Sequence, residues 1–291
     1  DLAAIFRGAI RQRQALIGGL IEGSARLAFA HAETQARYDL HDVATTATRE
    51  GEGGGWRLDG VKTVVLNADA ATTLIVSARS GGARRDAQGV TLFLVPADAP
   101  GVTIRAYPTQ DGGRAADVTL AGVRLGAAAA LGEVGAGLPL VERVVEQGVA
   151  AIAAEAVGLM DALLALTVDY LKTRKQFGVA IGAFQSLQHK AVDMLVALEQ
   201  ARSMALYAAM AAQGEDADER RWAISAAKVQ INRSARFVGQ TAVQLHGGVG
   251  MTMEYLGAHM FRRLTMIELT FGDAPWHLRR VARGGGLAAA E

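Results

Sequence analysis

Apolar positions along the chain recur with two periods, and the changes of period divide it. Leu2, Ile5, Phe6, Ile10, Leu16, Ile17 and Leu20 fall near helical spacing, which predicts a helix over residues 1–24 ended by Gly18-Gly19 and Gly23. Short β-branched runs follow, separated by glycine and polar turns: TLIVSAR (Thr73–Arg79), VTLFLVP (Val90–Pro96), VTIRAYP (Val102–Pro108) and ADVTLAGVRL (Ala116–Leu125). Gly53–Ala70 predicts a hairpin turning at Asp59-Gly60, because Asp-Gly suits a two-residue turn. After GEVGAG (Gly132–Gly137) the helical period returns. Leu138–Leu171 and Gln185–Gln213 predict two long helices, the second with Met194, Leu195, Leu198, Met204 and Leu206 facing inward. GEDADER (Gly214–Arg220) supplies an N-cap to a third helix, Trp222–Leu245, which HGGVG (His246–Gly250) breaks. Met253–Ala282 is the fourth, unless Pro275 kinks or restarts it.

Strand runs with no helix between them imply antiparallel pairing. The expected fold class is therefore α+β: an antiparallel β-barrel or sandwich domain followed by an antiparallel four-helix bundle. The expected divisions are a helical segment at 1–24, a β domain at 25–135, the bundle at 136–283 and a flexible tail at 284–291. No internal repeat is evident.

Composition narrows the chemistry. The chain has 291 residues, 51% hydrophobic and 20% charged, with a net charge of +1. That is a globular balance, and it argues against nucleic acid as a main partner. The absence of cysteine removes disulfides, thiolate metal sites and cysteine nucleophiles. No uninterrupted apolar run reaches the roughly 18–20 residues of a membrane span, and no signal peptide is visible; the expectation is a cytoplasmic protein with no membrane partner. The chain opens at Asp1 without a methionine, inside a predicted helix, so upstream sequence is expected to be missing.

Neither Glu-x-x-His on two helices nor H-E-x-x-H occurs, so no metal is expected, and His189, His246, His259 and His277 read as ordinary polar positions. GEVGAG lacks a surrounding βαβ unit, which leaves a Rossmann reading weak. Tyr170–Gln188, YLKTRKQFGVAIGAFQSLQ, stands out. Arg174, Lys175, Phe177 and Gln185 offer charge, a stacking face and an amide around a glycine-bounded turn, as a nucleotide requires. A solvated helix–loop–helix corner is the alternative. A second glycine junction, Gly247-Gly248, follows Gln244; backbone N–H groups freed there approach a phosphate without an intervening side chain. A plain helix break is the alternative. Two such junctions in one bundle favour a shared nucleotide site.

The order of GW-x-L-x-G-x-K, YLKTRKQFG-x-x-I-x-x-FQ and Q-x-HGG-x-G resembles the acyl-CoA dehydrogenases from about Arg11 to Arg283. The resemblance implies a subunit of N-terminal helical domain, middle β domain and C-terminal bundle, with most of the first domain absent here. It implies FAD, acyl-CoA thioester substrates, dimers or tetramers, and electron transfer to an electron-transfer flavoprotein. In such enzymes a glutamate takes the α-proton and the flavin accepts the β-hydrogen as hydride, which no side chain can do. The resemblance assigns Arg174, Gln176, Phe177, Gln185, Gln244, Gly247 and Gly248 to the adenosine–pyrophosphate half of an FAD bound mainly to the neighbouring subunit.

The departures are as informative. The usual Glu-Gly-Thr base is Phe271-Gly272-Asp273, and the alternative base position early in the first bundle helix is Gly148, with Val149 where an arginine is usual. Glu146 and Glu268 are expected to point elsewhere on their helices, so neither is an evident substitute, and Glu146 is the one weak candidate. The flavin-ring segment corresponds to Phe29–Tyr38, FAHAETQARY, with Ala32 for threonine, Gln35 and Arg37 for glycines and Tyr38 for serine. The Trp-Ile-Thr that faces the ring is Val64-Val65-Leu66. Retained adenosine-side residues and a missing base imply a non-catalytic subunit of a heteromeric enzyme, of the kind that acts on steroid-derived acyl-CoAs. A homomeric enzyme with a displaced base and a flavin-free structural homologue are the alternatives.

Overall fold

A computed structural model of the chain describes residues 10–51 and 54–284, with side chains from residue 16 onward in the first helix. Leu2, Ile5, Phe6 and the tail beyond Gly284 lie outside the described residues. Two compact units are present, Asp1–Val145 and Glu146–Glu291.

In the first unit, α1 (Ile10–Glu22) precedes β1 (Leu27–Ala30), β2 (Thr46–Glu50), β3 (Gly55–Leu66), β4 (Thr73–Arg79), β5 (Val90–Pro96), β6 (Val102–Pro108), β7 (Arg114–Leu125) and β8 (Ala130–Leu131). They form one eight-stranded sheet in the order β6-β7-β3-β2-β4-β5-β8, with β1 also on β4. Pairing is antiparallel except that β1 and β2 run parallel to β4. Alternation puts Leu58, Leu74, Val76, Phe93 and Val118 in a buried core, where Trp56 meets Phe93 edge-on at 5.1 Å.

The hairpin expected at Asp59-Gly60 is not there. β3 runs unbroken through both residues, paired with β7 from Trp56↔Leu125 to Leu66↔Ala115. Partners along twelve residues outweigh a local turn preference. Asp-Gly makes a bulge instead: Asp59 accepts from the Gly122 N–H at 2.8 Å, and a Cβ at Gly60 would lie 2.5 Å from the Thr45 hydroxyl. The reversal comes earlier, between β2 and β3, where Gly51 and Gly54 carry positive φ.

The second unit takes in most of α2 (Leu138–Thr173), then α3 (Gln185–Ala211), α4 (Ala217–His246), α5 (Leu256–Leu269) and α6 (Ala274–Arg283). Asp216 caps α4 by accepting from the Asp218 and Glu219 N–H groups. The fourth helix is two. Phe271 and Gly272 both have positive φ, and Asp273 caps a restart with Pro275 in its first turn.

On α3 the buried stripe is Met194, Leu198, Ala201, Ala205 and Ala208. Leu195 and Leu206, expected inside with them, are 47% and 64% exposed, and Met204 is half-buried. At about 100° per residue, positions 195 and 206 lie on another face, with Val192, Val196 and Met210. That second apolar stripe is exposed.

α2 is long and apolar enough to cross a membrane by composition, its mean hydropathy reaching 2.0 over 18 residues. It also carries Glu155 and Asp161, which pair with Arg263 on α5 and Arg202 on α3. Its Ala153, Ala156, Met160 and Leu163 lie in the bundle core with Ile231 and Val238. Such contacts make it a bundle helix.

Candidate functional site

α2 ends at Thr173, and the chain reverses in a two-residue hairpin, Lys175-Gln176 pairing with Val179-Ala180. Phe177 and Gly178 form the turn with φ of 54° and 82°. Positive φ at both central positions suits Asn-Gly or Gly-Gly; a phenylalanine there is strained. Phe177 is also 91% exposed, with Phe184 edge-on to its ring at 6.1 Å. Neither burial nor turn geometry accounts for its ring. The turn is fixed from below: Ile181 donates to the Arg174 carbonyl at 2.8 Å, Gln188 donates to Gly182 O at 2.8 Å, and a Cβ at Gly182 would lie 2.8 Å from Leu171 O.

Lys172, Arg174, Lys175, His189 and Lys190 are exposed around this hairpin, and among the described residues none is in an ion pair. Gln176 folds onto the Lys175 carbonyl, and Gln185 begins α3 exposed. The turn therefore presents the cations Lys172, Arg174, Lys175 and Lys190 beside an aromatic face, an arrangement suited to an anionic, ring-bearing ligand.

At the other junction, α4 ends with the Gly247 N–H donating to the Gln244 carbonyl. Gly247 has φ 60° and ψ −138°, accessible in practice only to glycine. A Cβ at Gly247 or Gly248 meets nothing within 4 Å, so the loop faces open space, with Gln244 exposed beside it. The structure brings the two junctions together. Tyr170, one turn before Arg174, lies tilted against the His246 ring at 4.4 Å between centroids, and its hydroxyl donates to the His246 carbonyl at 3.4 Å.

His246 and His277 are not the ordinary polar positions expected. Both are buried. Burial lowers the His246 imidazole and, with Lys228 nearby, holds His277 at about 3. Tyr170 and His246 link the two junctions, a contact the motifs did not reveal; the available signal was an aromatic one helical turn before Arg174 and a histidine directly before the glycine pair.

The two positions at which the resemblance expects a base, Phe271 and Gly148, also meet. Phe271 packs its ring on Gly148, where a Cβ would lie 2.7 Å from Cε2. Glu146 is buried with its carboxylate held by the Arg220 guanidinium, and Glu268 is likewise paired with Arg236. Both carboxylates are thus ion-paired, and Glu146 Oε1 is buried with no hydrogen-bond partner among the described residues.

In the first unit, Phe29–Tyr38 is built around a closed polar network. Glu33 accepts from Lys62 at 2.6 Å, the Thr45 hydroxyl at 2.7 Å, and the Ala44 and Thr45 N–H groups. Burial acts to raise the Glu33 carboxyl, but Lys62 and the hydrogen bonds more than offset it and hold it at about 2. Burial brings Lys62 down to about 8 against the pull of Glu33. Lys62 also donates to Ser77 at 3.0 Å, leaving the Ser77 proton for His31 Nδ1 at 2.8 Å. Burial first and Lys62 second hold His31 at about 3. Ala32 offers no polar side chain, and Val64, at a β3 bulge, is an exposed β-branched residue with φ 52°.

Residues 135–286 match the C-terminal domain of acyl-CoA dehydrogenases and residues 28–123 their middle domain. The chain belongs to the acyl-CoA dehydrogenase family. It is 32% identical over 281 residues to the probable acyl-CoA dehydrogenase YngJ of Bacillus subtilis, covering 96% of this chain and 73% of that one. A glutaryl-CoA dehydrogenase from Mycobacterium smegmatis, solved in complex with FADH2, superposes with a TM-score of 0.85 at 25% identity, over 96% of this chain and 71% of that one. The Tcur3481–Tcur3483 steroid ACAD superposes at 0.84 with 31% identity, over 99% of this chain and 75% of that one.

Proposed function

We propose that this chain is the non-catalytic subunit of a heteromeric, cytoplasmic, FAD-dependent acyl-CoA dehydrogenase, with a middle domain at 25–135 and a bundle at 136–283. It holds the adenosine end of an FAD whose ring, catalytic glutamate and acyl-CoA cleft belong to a homologous partner. The Phe271 ring on Gly148 carries this reading, because it fills with carbon the two positions at which the family places its base.

The residues present fit one half of the cofactor. The strained, exposed Phe177 offers a face to adenine, Arg174 a charge to the pyrophosphate, and Gly247-Gly248 unobstructed N–H groups; Gln176, Gln185 and Gln244 supply amides at the rim. At the ring half, Ala32 and Val64–Leu66 supply neither a hydroxyl nor an aromatic face. When bound, FAD supplies the hydride acceptor that side chains lack. The exposed stripe Val192, Leu195, Val196, Leu206 and Met210 supports a subunit contact, since apolar rows of this kind are covered in assemblies. The pairing in the steroid enzyme's name supports a two-chain assembly. We assign it a bulky acyl-CoA as substrate and an electron-transfer flavoprotein as electron acceptor.

Purified alone, the chain should be colourless or weakly flavinylated, and inactive. Co-expressed with a homologue carrying the missing glutamate and ring residues, it should purify yellow and reduce a dye with an acyl-CoA. A yellow, active assembly made of this chain alone overturns the proposal.

A further inference from the structure

His246 has a third neighbour. The Tyr255 hydroxyl lies 2.5 Å from His246 Nε2 and 3.2 Å from Nδ1, and its ring, like that of Tyr170, lies tilted against the imidazole at 4.4 Å between centroids. On its other side, His246 Nδ1 lies 2.8 Å from the Ala242 carbonyl. A carbonyl only accepts, so Nδ1 carries the proton. Nε2 is then a bare acceptor, and Tyr255 must donate to it. Burial favours this neutral form. The imidazole is thus fixed in tautomer, tilt and position from α4, the end of α2 and the start of α5.

The next residue is Gly247, whose backbone conformation sets where the following N–H groups point. Beyond packing, the donated bond on the buried ring and the Tyr170 bond to its carbonyl determine the direction in which α4 ends. We propose that Tyr255 and Tyr170 are positioning residues for the nucleotide loop: by clamping His246 they aim the Gly247 and Gly248 N–H groups at a pyrophosphate and hold that loop in register with the Arg174–Phe177 turn. This rests on the reading of the two junctions as an FAD site.

The test is the full chain in the assembly in which it purifies, stripped of flavin and titrated calorimetrically with ADP. Tyr255→Phe removes one oxygen and keeps the ring, so core packing survives. ADP affinity should fall about three- to tenfold, with the midpoint lowered only slightly by the lost hydrogen bond and the chain still fully folded at the titration temperature. Tyr170→Phe, which loses the longer bond, should give a smaller fall. The His246 ring nitrogens, read by 15N NMR, should show a single Nδ1–H tautomer in the wild type and a mixture in Tyr255→Phe; a residue that only filled space would move neither affinity nor tautomer. Wild-type ADP affinity in Tyr255→Phe, or an Nε2–H tautomer in the wild type, overturns the inference and leaves the FAD site standing. No ADP binding by the wild type, with Arg174→Ala indistinguishable from it, overturns the site itself and the inference with it.

Discussion

A Cβ added to Gly148 would sit 2.7 Å from Phe271 Cε2 and 3.1 Å from Cζ. The two residues, on α2 and in the α5–α6 break, are therefore one packing unit. A side chain of any size at 148 requires the ring to leave, and the ring is held by a backbone with φ 59° and by the His277 imidazole on the Phe271 carbonyl at 3.0 Å. Gly148→Ala should destabilise the chain by about 1–3 kcal/mol through overpacking. Adding Phe271→Ala should recover part of that, giving a coupling energy above about 1 kcal/mol in urea unfolding. Additive effects would show that the ring is not confined there.

Phe177 combines exposure with backbone strain. Phe177→Gly should leave the chain as stable or up to about 1 kcal/mol more stable, because glycine takes the turn conformation freely. The same substitution should reduce flavin content in the assembly, read by absorbance. A large loss of stability would mean the ring has a structural role that its exposure does not suggest.

Arg174→Ala should likewise lower flavin content without moving the unfolding midpoint, since the side chain is exposed and unpaired. The effect should appear only in the assembled form. Equal flavin content in variant and wild type would remove Arg174 from the site.

Lys62 and Glu33 are a fully buried pair in a saturated network. Lys62→Met should cost about 3–5 kcal/mol in denaturant unfolding, because it strands the carboxylate. Lys62→Met with Glu33→Gln should cost less than Lys62→Met alone.

His31 gives the first unit an acid sensitivity. Its folded value of about 3 lies below the ordinary 6.5, so between those values the unfolded chain binds the extra proton. Stability is intact above about 6.5 and falls as pH drops toward 3, by up to about 1.4 kcal/mol per pH unit from this group. His31→Val should flatten that limb, leaving Lys62 still donating to Ser77. An unchanged limb would place the proton uptake elsewhere.

The sequence by itself determined the long helices, four of the strand runs and the order in which they follow. Helical periods over 138–171 and 185–213, the Asp216 cap and the strand runs from Thr73 to Leu125 are local properties, set by side-chain spacing and capping chemistry, and the folded chain keeps them. Tertiary structure decided what depends on distant partners. Asp59-Gly60 became a bulge because β7 offered a full-length partner, and Leu195 and Leu206 stayed exposed because bundle packing selected another stripe of α3. His246 and His277 were buried by neighbours far away in sequence. The Arg-Lys-Gln-Phe-Gly turn and the glycine pair were visible as motifs, but only folding set Tyr170 on His246 and Phe271 on Gly148. Spacing fixes which face a residue occupies; only packing decides what that face meets.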